Sequence, residues 1–375
     1  MAGIYIHIPF CKKACHYCNF HFSTSLHFIN EMAQCLLHEI TLQKDFFGDE
    51  IIESIYFGGG TPSILPASDI MQLINQIKKV FKVSETIECT LEANPDDITA
   101  SKIKTYAAMG INRLSIGIQS FFEEDLQFMN RAHNSLQAIE CIRLAKENGI
   151  SNISADLIFG YPLLTDQKWK ENIDKMLQLQ IPHISCYAMT VEPKTALASM
   201  IKKQKTKPLD DEVSARQYEY LIQRLMQAGY AHYEISNFAL PGYEAKHNSS
   251  YWNDSLYLGI GPSAHSYNKY SRRWNVANNA LYIAQIKKDK LPYEEEILSN
   301  TDKINELIMV SIRQSKGLDL TLLSTKLNQE ELKQFIYKIN KWQKQQMLFM
   351  YNEHTICLTD KGKLFADGIA SDLFF

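Results

Sequence analysis

The sequence lacks the features of a chain that works inside a membrane or along nucleic acid. No apolar run approaches the ~20 residues needed to span a bilayer. The N-terminus has no basic region followed by a long apolar core, so a secretory signal is not expected. With 39 Lys and Arg against 42 Asp and Glu, the net charge is -3, which gives no broad electrostatic case for nucleic acid binding. There is no low-complexity segment and no periodic repeat beyond the β-α alternation described below. A disulfide framework is also missing. Cys35, Cys89, Cys141, Cys186 and Cys357 are scattered through apolar contexts and read as reduced packing residues. The glycine run Gly58-Gly59-Gly60-Thr61-Pro62 is not a Walker loop, because no Lys-Ser/Thr follows it. Together these absences lead us to expect a cytoplasmic protein that does not bind nucleic acid.

The bulk composition is that of a globular chain. The 375 residues are 45% hydrophobic and 22% charged, enough for a large core and for two or three domains. One stretch stands apart: CKKACHYC at residues 11–18, which places Cys11, Cys15 and Cys18 at spacings of four and three. Thiolates are soft ligands, suited to iron-sulfur clusters or zinc. Three of them fall short of the four that a 4Fe-4S cluster usually takes from protein. One iron would stay open to a small molecule. Structural zinc, with His7, His16 or His21 as fourth ligand, is the alternative reading of the cysteines alone.

From Ile4 to about Tyr187 the chain alternates two periodicities. Strand-like runs at 4–8, 51–57, 86–91, 113–118, 153–159 and 183–189 are separated by helical stretches at 29–47, 67–81, 101–109, 123–130, 136–148 and 167–179. Six β-α units in succession predict parallel strands with right-handed crossovers, hence an α/β fold built on an open (β/α)6, TIM-like partial barrel, with a full eight-unit barrel as the alternative. Polar and glycine-rich residues recur where strands end: the cysteines, the triple glycine, Glu92 and Gln119. One rim of such a barrel is where chemistry is expected. Glu92 and Asp156 could accept from ribose hydroxyls or an amine, and Arg131 could pair with a carboxylate. For each of these, and for Tyr5, an ordinary salt bridge or packing role is the plain alternative.

Beyond Pro193 the pattern changes. Residues 211–228 read as a long helix, 230–282 as an aromatic-rich segment of poor helical period, and the stretch from about 301 as short helices followed by a hairpin at 347–358. Helices followed by a β-ribbon predict an α+β C-terminal region ending in a winged-helix-like module. The expected division is a barrel core over residues 1–200, an extension over 201–295, and the C-terminal module over 296–375.

The combined motifs resemble the radical S-adenosylmethionine (SAM) superfamily. The pieces are Ile6-His7-Ile8-Pro9-Phe10-Cys11, Tyr56-Phe57-Gly58-Gly59-Gly60-Thr61-Pro62, Glu92-Ala93-Asn94-Pro95, Ser115-Ile116-Gly117-Ile118-Gln119-Ser120-Phe121 and Asp156-Leu157-Ile158-Phe159-Gly160. In detail the chain resembles the branch holding the oxygen-independent coproporphyrinogen III oxidases and the HemW haem chaperones. The resemblance implies a 4Fe-4S cluster on Cys11, Cys15 and Cys18, with SAM on the fourth iron. It further implies SAM contacts from Tyr5, Tyr17, Gly59, Gly60, Thr61, Glu92, Gln119, Arg131, Asp156 and Ala188. It assigns no catalytic side chain.

Within that branch, the oxidases carry a fourth cysteine two residues after the third, and a long N-terminal extension. Here Cys18 is followed by Asn19 and Phe20, and the first strand begins at residue 4. The chaperones carry His-Asn-x-x-Tyr-Trp, matched by His247-Asn248-Ser249-Ser250-Tyr251-Trp252. The resemblance therefore implies haem binding through His247, Tyr251 and Trp252, with haem passed to acceptor proteins such as membrane respiratory enzymes. It also implies an electron donor, a monomer or dimer, and membrane association through partners only. The residues alone read His247 equally as a structural histidine in an aromatic core. His265 is a second candidate ligand. Coproporphyrinogen III oxidation, an oxidative decarboxylation, is the alternative function.

Overall fold

A computed structural model of the chain describes residues 2–375. It divides into two compact units, Met1–Gln217 with Ala245–Glu296, and Tyr218–Glu244 with Ile297–Phe375. The first unit opens with alternating elements: β1 (Ala2–Ile8), α1 (Ile29–Leu42), β2 (Ile52–Gly59), α2 (Ala67–Val80), β3 (Val83–Ala93), α3 (Ala100–Ala108), β4 (Arg113–Gln119), α4 (Glu123–Phe128), α5 (Ser135–Glu147), β5 (Ile153–Phe159), α6 (Asp166–Gln178), β6 (His183–Ala188) and α7 (Ala196–Lys202). Helix starts carry their own caps. Thr99, Thr165 and Thr195 accept from backbone N–H groups of the first turn, and Asn134 with Gln137 closes a capping box on α5.

The chain continues through α8 (Asp211–Gln227), β7 (Ala231–Glu234), β8 (Asn237–Ala239), α9 (Lys246–Trp252), β9 (Leu256–Ile260), β10 (His265–Tyr267), β11 (Ser271–Asn275), α10 (Asn279–Ile286) and β12 (Tyr293–Ile297). In the first unit, β1 to β6 pair in parallel in sequence order. This is the expected partial barrel. The aromatic-rich segment adds a strand that periodicity does not reveal. β9 pairs in parallel with β1, on the side away from β2. β10 and β11 then extend the sheet antiparallel beyond β9.

The pleat sorts the barrel into two environments. On β1, Ile4, Ile6 and Ile8 are fully buried on one face, while Gly3, Tyr5 and His7 occupy the other. That second face lines a polar lumen. Tyr5 stacks on Tyr56, and a Cβ on Gly3 would sit 2.7 Å from Ser54 Oγ and 3.1 Å from His247 Nδ1. Neighbouring strands repeat the pattern, with Glu88, Thr90 and Glu92 on β3 and Ser154 and Asp156 on β5 alternating with apolar residues. The large apolar burial, at roughly 25 cal/mol per Å², therefore comes from the outer layer between strands and helices.

The second unit holds α11 (Asn300–Ile312), β13 (Leu318–Asp319), α12 (Leu320–Ser324), α13 (Gln329–Lys344), β14 (Leu348–Met350), β15 (Thr355–Leu358), α14 (Asp360–Lys363) and α15 (Ala366–Leu373). Its small sheet runs β13-β15-β14, and with the helices that precede it this is the winged-helix arrangement expected from the sequence. Ile308, Ile312, Phe335, Ile339, Ile356 and Ile369 form its core. Among the described residues, no helix is long and apolar enough to cross a membrane.

Candidate functional site

The cysteine loop that follows β1 is fastened from both sides. Cys11 N–H donates to Ser23 O at 3.0 Å, Gly60 N–H to Ile8 O at 2.9 Å and Thr61 N–H to Phe10 O at 2.7 Å. From the far side of the barrel, Asn130 Nδ2 donates to Ala14 O at 2.7 Å and His16 Nδ1 to Phe128 O at 2.7 Å. Lys12 bonds Asp96 at 2.7 Å and also pairs with Asp97. The triple glycine serves this closeness. Gly59 sits at φ 105, a left-handed conformation that favours glycine. A Cβ on Gly60 would lie 2.5 Å from Phe10 O.

Above the lumen lies a cavity of about 490 Å³. Its lining includes Cys11, Cys15 and Cys18 together with Tyr17, Gly59, Gly60, Thr61, Glu92, Gln119, Arg131, Asp156 and Ala188. Residues from the cysteine loop and from the carboxyl ends of β2 to β6 thus meet in one place. Tyr5 is placed elsewhere, inside the lumen, with its hydroxyl donating to His7 Nδ1 at 3.2 Å. Further lining residues have no site role in the sequence reading: Asn94, Ser115, Phe20, Tyr187 and Glu192 among them. Asn94 was visible only as part of a motif. Its role emerges from contacts across strands, since Nδ2 donates to Thr61 Oγ1 at 3.3 Å and Oδ1 accepts from Arg131 at 2.7 Å.

Sulfur and carboxylate are handled differently in this cavity. Thr61 Oγ1 donates to Cys11 Sγ at 3.6 Å, and Arg131 Nη1 donates to Cys15 Sγ at 3.3 Å. Burial still pushes the Cys11 thiol up to about 11. Burial likewise raises Glu92 to about 7, assisted by the nearby Asp156 and opposed by Tyr56, whose hydroxyl donates to Glu92 Oε1 at 2.8 Å. Asp156 rises to about 6 for the same chief reason. Two polar atoms sealed from solvent, Gln119 Oε1 and Arg131 Nε, have no hydrogen-bond partner among the described residues. Gln119 is also held at φ 67, a strained conformation of the kind concentrated at ligand sites.

This donor set fits a thiolate-held cluster with a polar ligand beside it. Among the described residues, no three His, Cys, Asp or Glu side chains converge tightly enough to hold a single metal ion. Cluster ligands bind different irons, so they need not converge on one point. None of His7, His16 and His21, the fourth zinc ligands the sequence offers, lines the cavity. His7 Nε2 donates instead to His21 O at 2.8 Å, His16 is held by Phe128 O, and His21 Nε2 donates to Asn279 Oδ1 at 2.8 Å.

The segment carrying His247 lies apart from this cavity. It forms α9, and His247 is 1% exposed. Its Nδ1 is hydrogen-bonded to Ser54 Oγ at 2.9 Å and its Nε2 to Tyr251 Oη at 3.0 Å. The backbone N–H groups of Lys246 and His247 both donate to the Glu88 carboxylate at 3.1 Å. The ring stacks on Tyr56 with centroids 5.1 Å apart, and burial lowers its pKa to about 3. Tyr251 in turn meets Tyr257 edge-on at 4.8 Å.

Comparison with known proteins agrees with this geometry. Residues 5–176 match the family model for the Radical SAM superfamily. The chain is 33% identical to the heme chaperone HemW of Bacillus subtilis (strain 168) over 372 residues, 98% of each chain. It is 32% identical to the heme chaperone HemW of Lactococcus lactis subsp. lactis (strain IL1403), covering 96% of this chain and 93% of that one. The fold is similar to that of coproporphyrinogen III oxidase (HemN) from Escherichia coli, described as a radical SAM enzyme, with a TM-score of 0.86 over 100% of this chain and 90% of that one. At 22% identity that likeness speaks to fold alone. Relatives of this identity over nearly the full length carry the assignment: the chain belongs to the HemW heme chaperone family of the radical SAM superfamily.

Proposed function

We propose that the chain binds haem and transfers it to acceptor proteins, while carrying a 4Fe-4S cluster on Cys11, Cys15 and Cys18 with exchangeable SAM beside it. The observation that carries the cofactor half is the single cavity lined by the three cysteines, Glu92, Asp156, Gln119 and Arg131. Full-length similarity to relatives called heme chaperones supports the other half. Such a cluster, when bound, supplies an electron to the sulfonium of SAM. The chain's own part is to hold and orient. Arg131 and Thr61 donate to the sulfurs of Cys15 and Cys11 and so orient them. Glu92 and Asp156 offer acceptors for an amine or ribose hydroxyls. Gln119 and Arg131 present the two sealed polar atoms that a ligand would satisfy.

Residues 1–200 would then hold the cofactors and residues 201–295 the haem segment, leaving 296–375 for partner contacts. The work would take place in the cytoplasm, with membrane contact only through acceptors. His247, Tyr251 and Trp252 are the proposed haem contacts by family resemblance. Because both His247 ring nitrogens are engaged, ligation there requires α9 to leave its seat.

The test is a visible spectrum of the anaerobically reconstituted chain before and after ferric haem is added. Cluster absorption with a displaced Soret band is the expected result, followed by loss of that band when an apo acceptor is supplied. Failure to take up haem would refute the chaperone reading. Formation of protoporphyrinogen from coproporphyrinogen III, SAM and a reductant would establish the oxidase alternative. Cys18 is followed by Asn19 and Phe20, the latter 69% exposed, and the expected result is no turnover.

A further inference from the structure

Two neighbouring strands reach the cavity rim with the same ending. β2 stops at Gly59 and β3 at Ala93, and they run side by side in parallel, with Phe57 opposite Leu91. Each leads into a short 3-10 turn that opens on proline, Pro62–Ile64 after Thr61 and Pro95–Asp97 after Asn94. Thr61 and Asn94 are the N-cap residues of these turns. At such positions threonine and asparagine side chains ordinarily accept from the first backbone N–H groups. Neither does so here. Both residues line the cavity instead, and their side chains bond each other. The turn after Asn94 does not depend on that bond for its place, because Asp96 and Asp97 pair independently with Lys12 of the cysteine loop.

The bonds around Asn94 have a fixed polarity. A guanidinium has donors only, so the Asn94 atom 2.7 Å from Arg131 Nη2 is the carbonyl Oδ1. That leaves Nδ2 facing Thr61 Oγ1, at 3.3 Å. A hydroxyl has one proton. Because the Thr61 oxygen accepts from Asn94, its proton is free for Cys11 Sγ at 3.6 Å. A cysteine sulfur on a metal is a thiolate and can only accept. On the other side, Arg131 Nη1 donates to Cys15 Sγ at 3.3 Å. Asn94 thus stands at the centre of an arc that runs from Cys11 through Thr61 to Arg131 and Cys15. An aspartate of the same shape could only accept. It would keep the pairing with Arg131, but the Thr61 proton would turn to its carboxylate and Cys11 would lose its donor.

We infer that Asn94 is a positioning residue for the cluster: its amide aims the Thr61 hydroxyl at Cys11 and seats the Arg131 guanidinium on Cys15. The inference rests on the cluster half of the reading above. Hydrogen bonds to the sulfurs help to set the potential of an iron-sulfur cluster. A donor there favours the more negative, reduced form and so raises the potential.

The experiment is a double-mutant cycle on the full-length chain, reconstituted anaerobically without SAM or haem: wild type, Asn94→Asp, Thr61→Val and the two combined. The readout is the midpoint potential of the cluster in a reductive titration. Iron content and far-UV circular dichroism check loading and folding. Thr61→Val is expected to shift the midpoint negative, since Cys11 loses its donor. Asn94→Asp should shift it negative as well, by removing the same donor and by adding charge. In the Thr61→Val background the aspartate keeps its charge effect but has no hydroxyl to redirect, so its shift should be smaller. The expected difference is up to about tenfold in the reduction equilibrium, about 59 mV for one electron. Equal shifts in the two backgrounds overturn the inference, because Asn94 then does not act through Thr61. If Asn94→Asp fails to load or fold, Asn94→Leu, neutral and of similar size, takes its place under the same criterion. If wild type takes up no cluster, the cluster reading falls and the inference with it. A loaded wild type with additive shifts removes the inference alone.

Discussion

Arg131 and Cys15 are joined directly across the barrel mouth, with Nη1 donating to Sγ at 3.3 Å. The same guanidinium donates through Nη2 to Asn94 Oδ1 at 2.7 Å and to Gly117 O at 2.8 Å. One side chain thus ties the cysteine loop to β4 and to the end of β3. Replacing it should loosen the loop and strip a donor from one sulfur. We predict that Arg131→Met lowers stability by about 1.5–3 kcal/mol, the range for a hydrogen bond to a charged group, and shortens the lifetime of a reconstituted cluster. Urea unfolding and iron content over time in air are the measurements. An unchanged iron-loss rate would count against the role given to Arg131.

The cysteines themselves allow a sharper test. Anaerobic reconstitution should give about four irons per chain. Alanine at Cys11, Cys15 or Cys18 should abolish this, whereas Cys186→Ala, a buried position away from the cavity lining, should leave it intact. Full iron content in Cys15→Ala would remove the cluster assignment.

His247 predicts a stability effect that is separate from any haem effect. Truncation to alanine leaves Ser54 Oγ and Tyr251 Oη without their ring partner and opens space under Tyr56. Each buried group so orphaned costs about 1–3 kcal/mol, so His247→Ala should destabilise by roughly 2–4 kcal/mol. The denaturation midpoint measures it, and a loss below about 0.5 kcal/mol, typical of surface positions, would mean that α9 is not a fixed floor.

Glu39 predicts a pH dependence. It is fully buried and accepts from Gly261 N–H at 2.7 Å, from Asn275 Nδ2 at 2.7 Å and from the Tyr282 hydroxyl. Desolvation nonetheless raises its pKa from 4.5 to about 7. Between those values the folded chain holds a proton that the unfolded chain has lost. This contribution is therefore full below about pH 4.5 and declines as the pH rises through about 7. Glu39→Gln should flatten the slope of the unfolding midpoint across that window. An equal slope in both proteins would place the titration elsewhere.

Much of the barrel was legible because β1 to β6 are apolar runs that end on glycine or polar residues, and helical periods separate them. β9 to β11 were hidden for a physical reason. β10 has three residues, and β11 reads Ser-Arg-Arg-Trp-Asn, in which Arg273 faces out onto Tyr293 and Arg272 faces in. No alternation of apolar and polar residues survives in such a strand. The cysteines stood out by their spacing. Their supports, Asn94 and Asn130, did not, because those contacts depend on where distant loops meet. His247 is the clearest case. Its motif was readable, but its burial depends on Ser54, which lies 193 positions away in sequence and is set by the pairing of β2 with β1 and β3.

The polar lumen also bears on how this chain can change over generations. On the outer face of β1, one aliphatic residue can replace another at modest cost, since packing there tolerates conserved volume. Inside, substitutions must arrive in company. Ser54 is matched to His247, His247 to Tyr251, and Tyr56 to Glu92, so altering one member strands its partner without water to replace it. Drift should therefore be fast on the isoleucine layer and concerted in the lumen, with Ser54 and His247 exchanging as a pair or not at all.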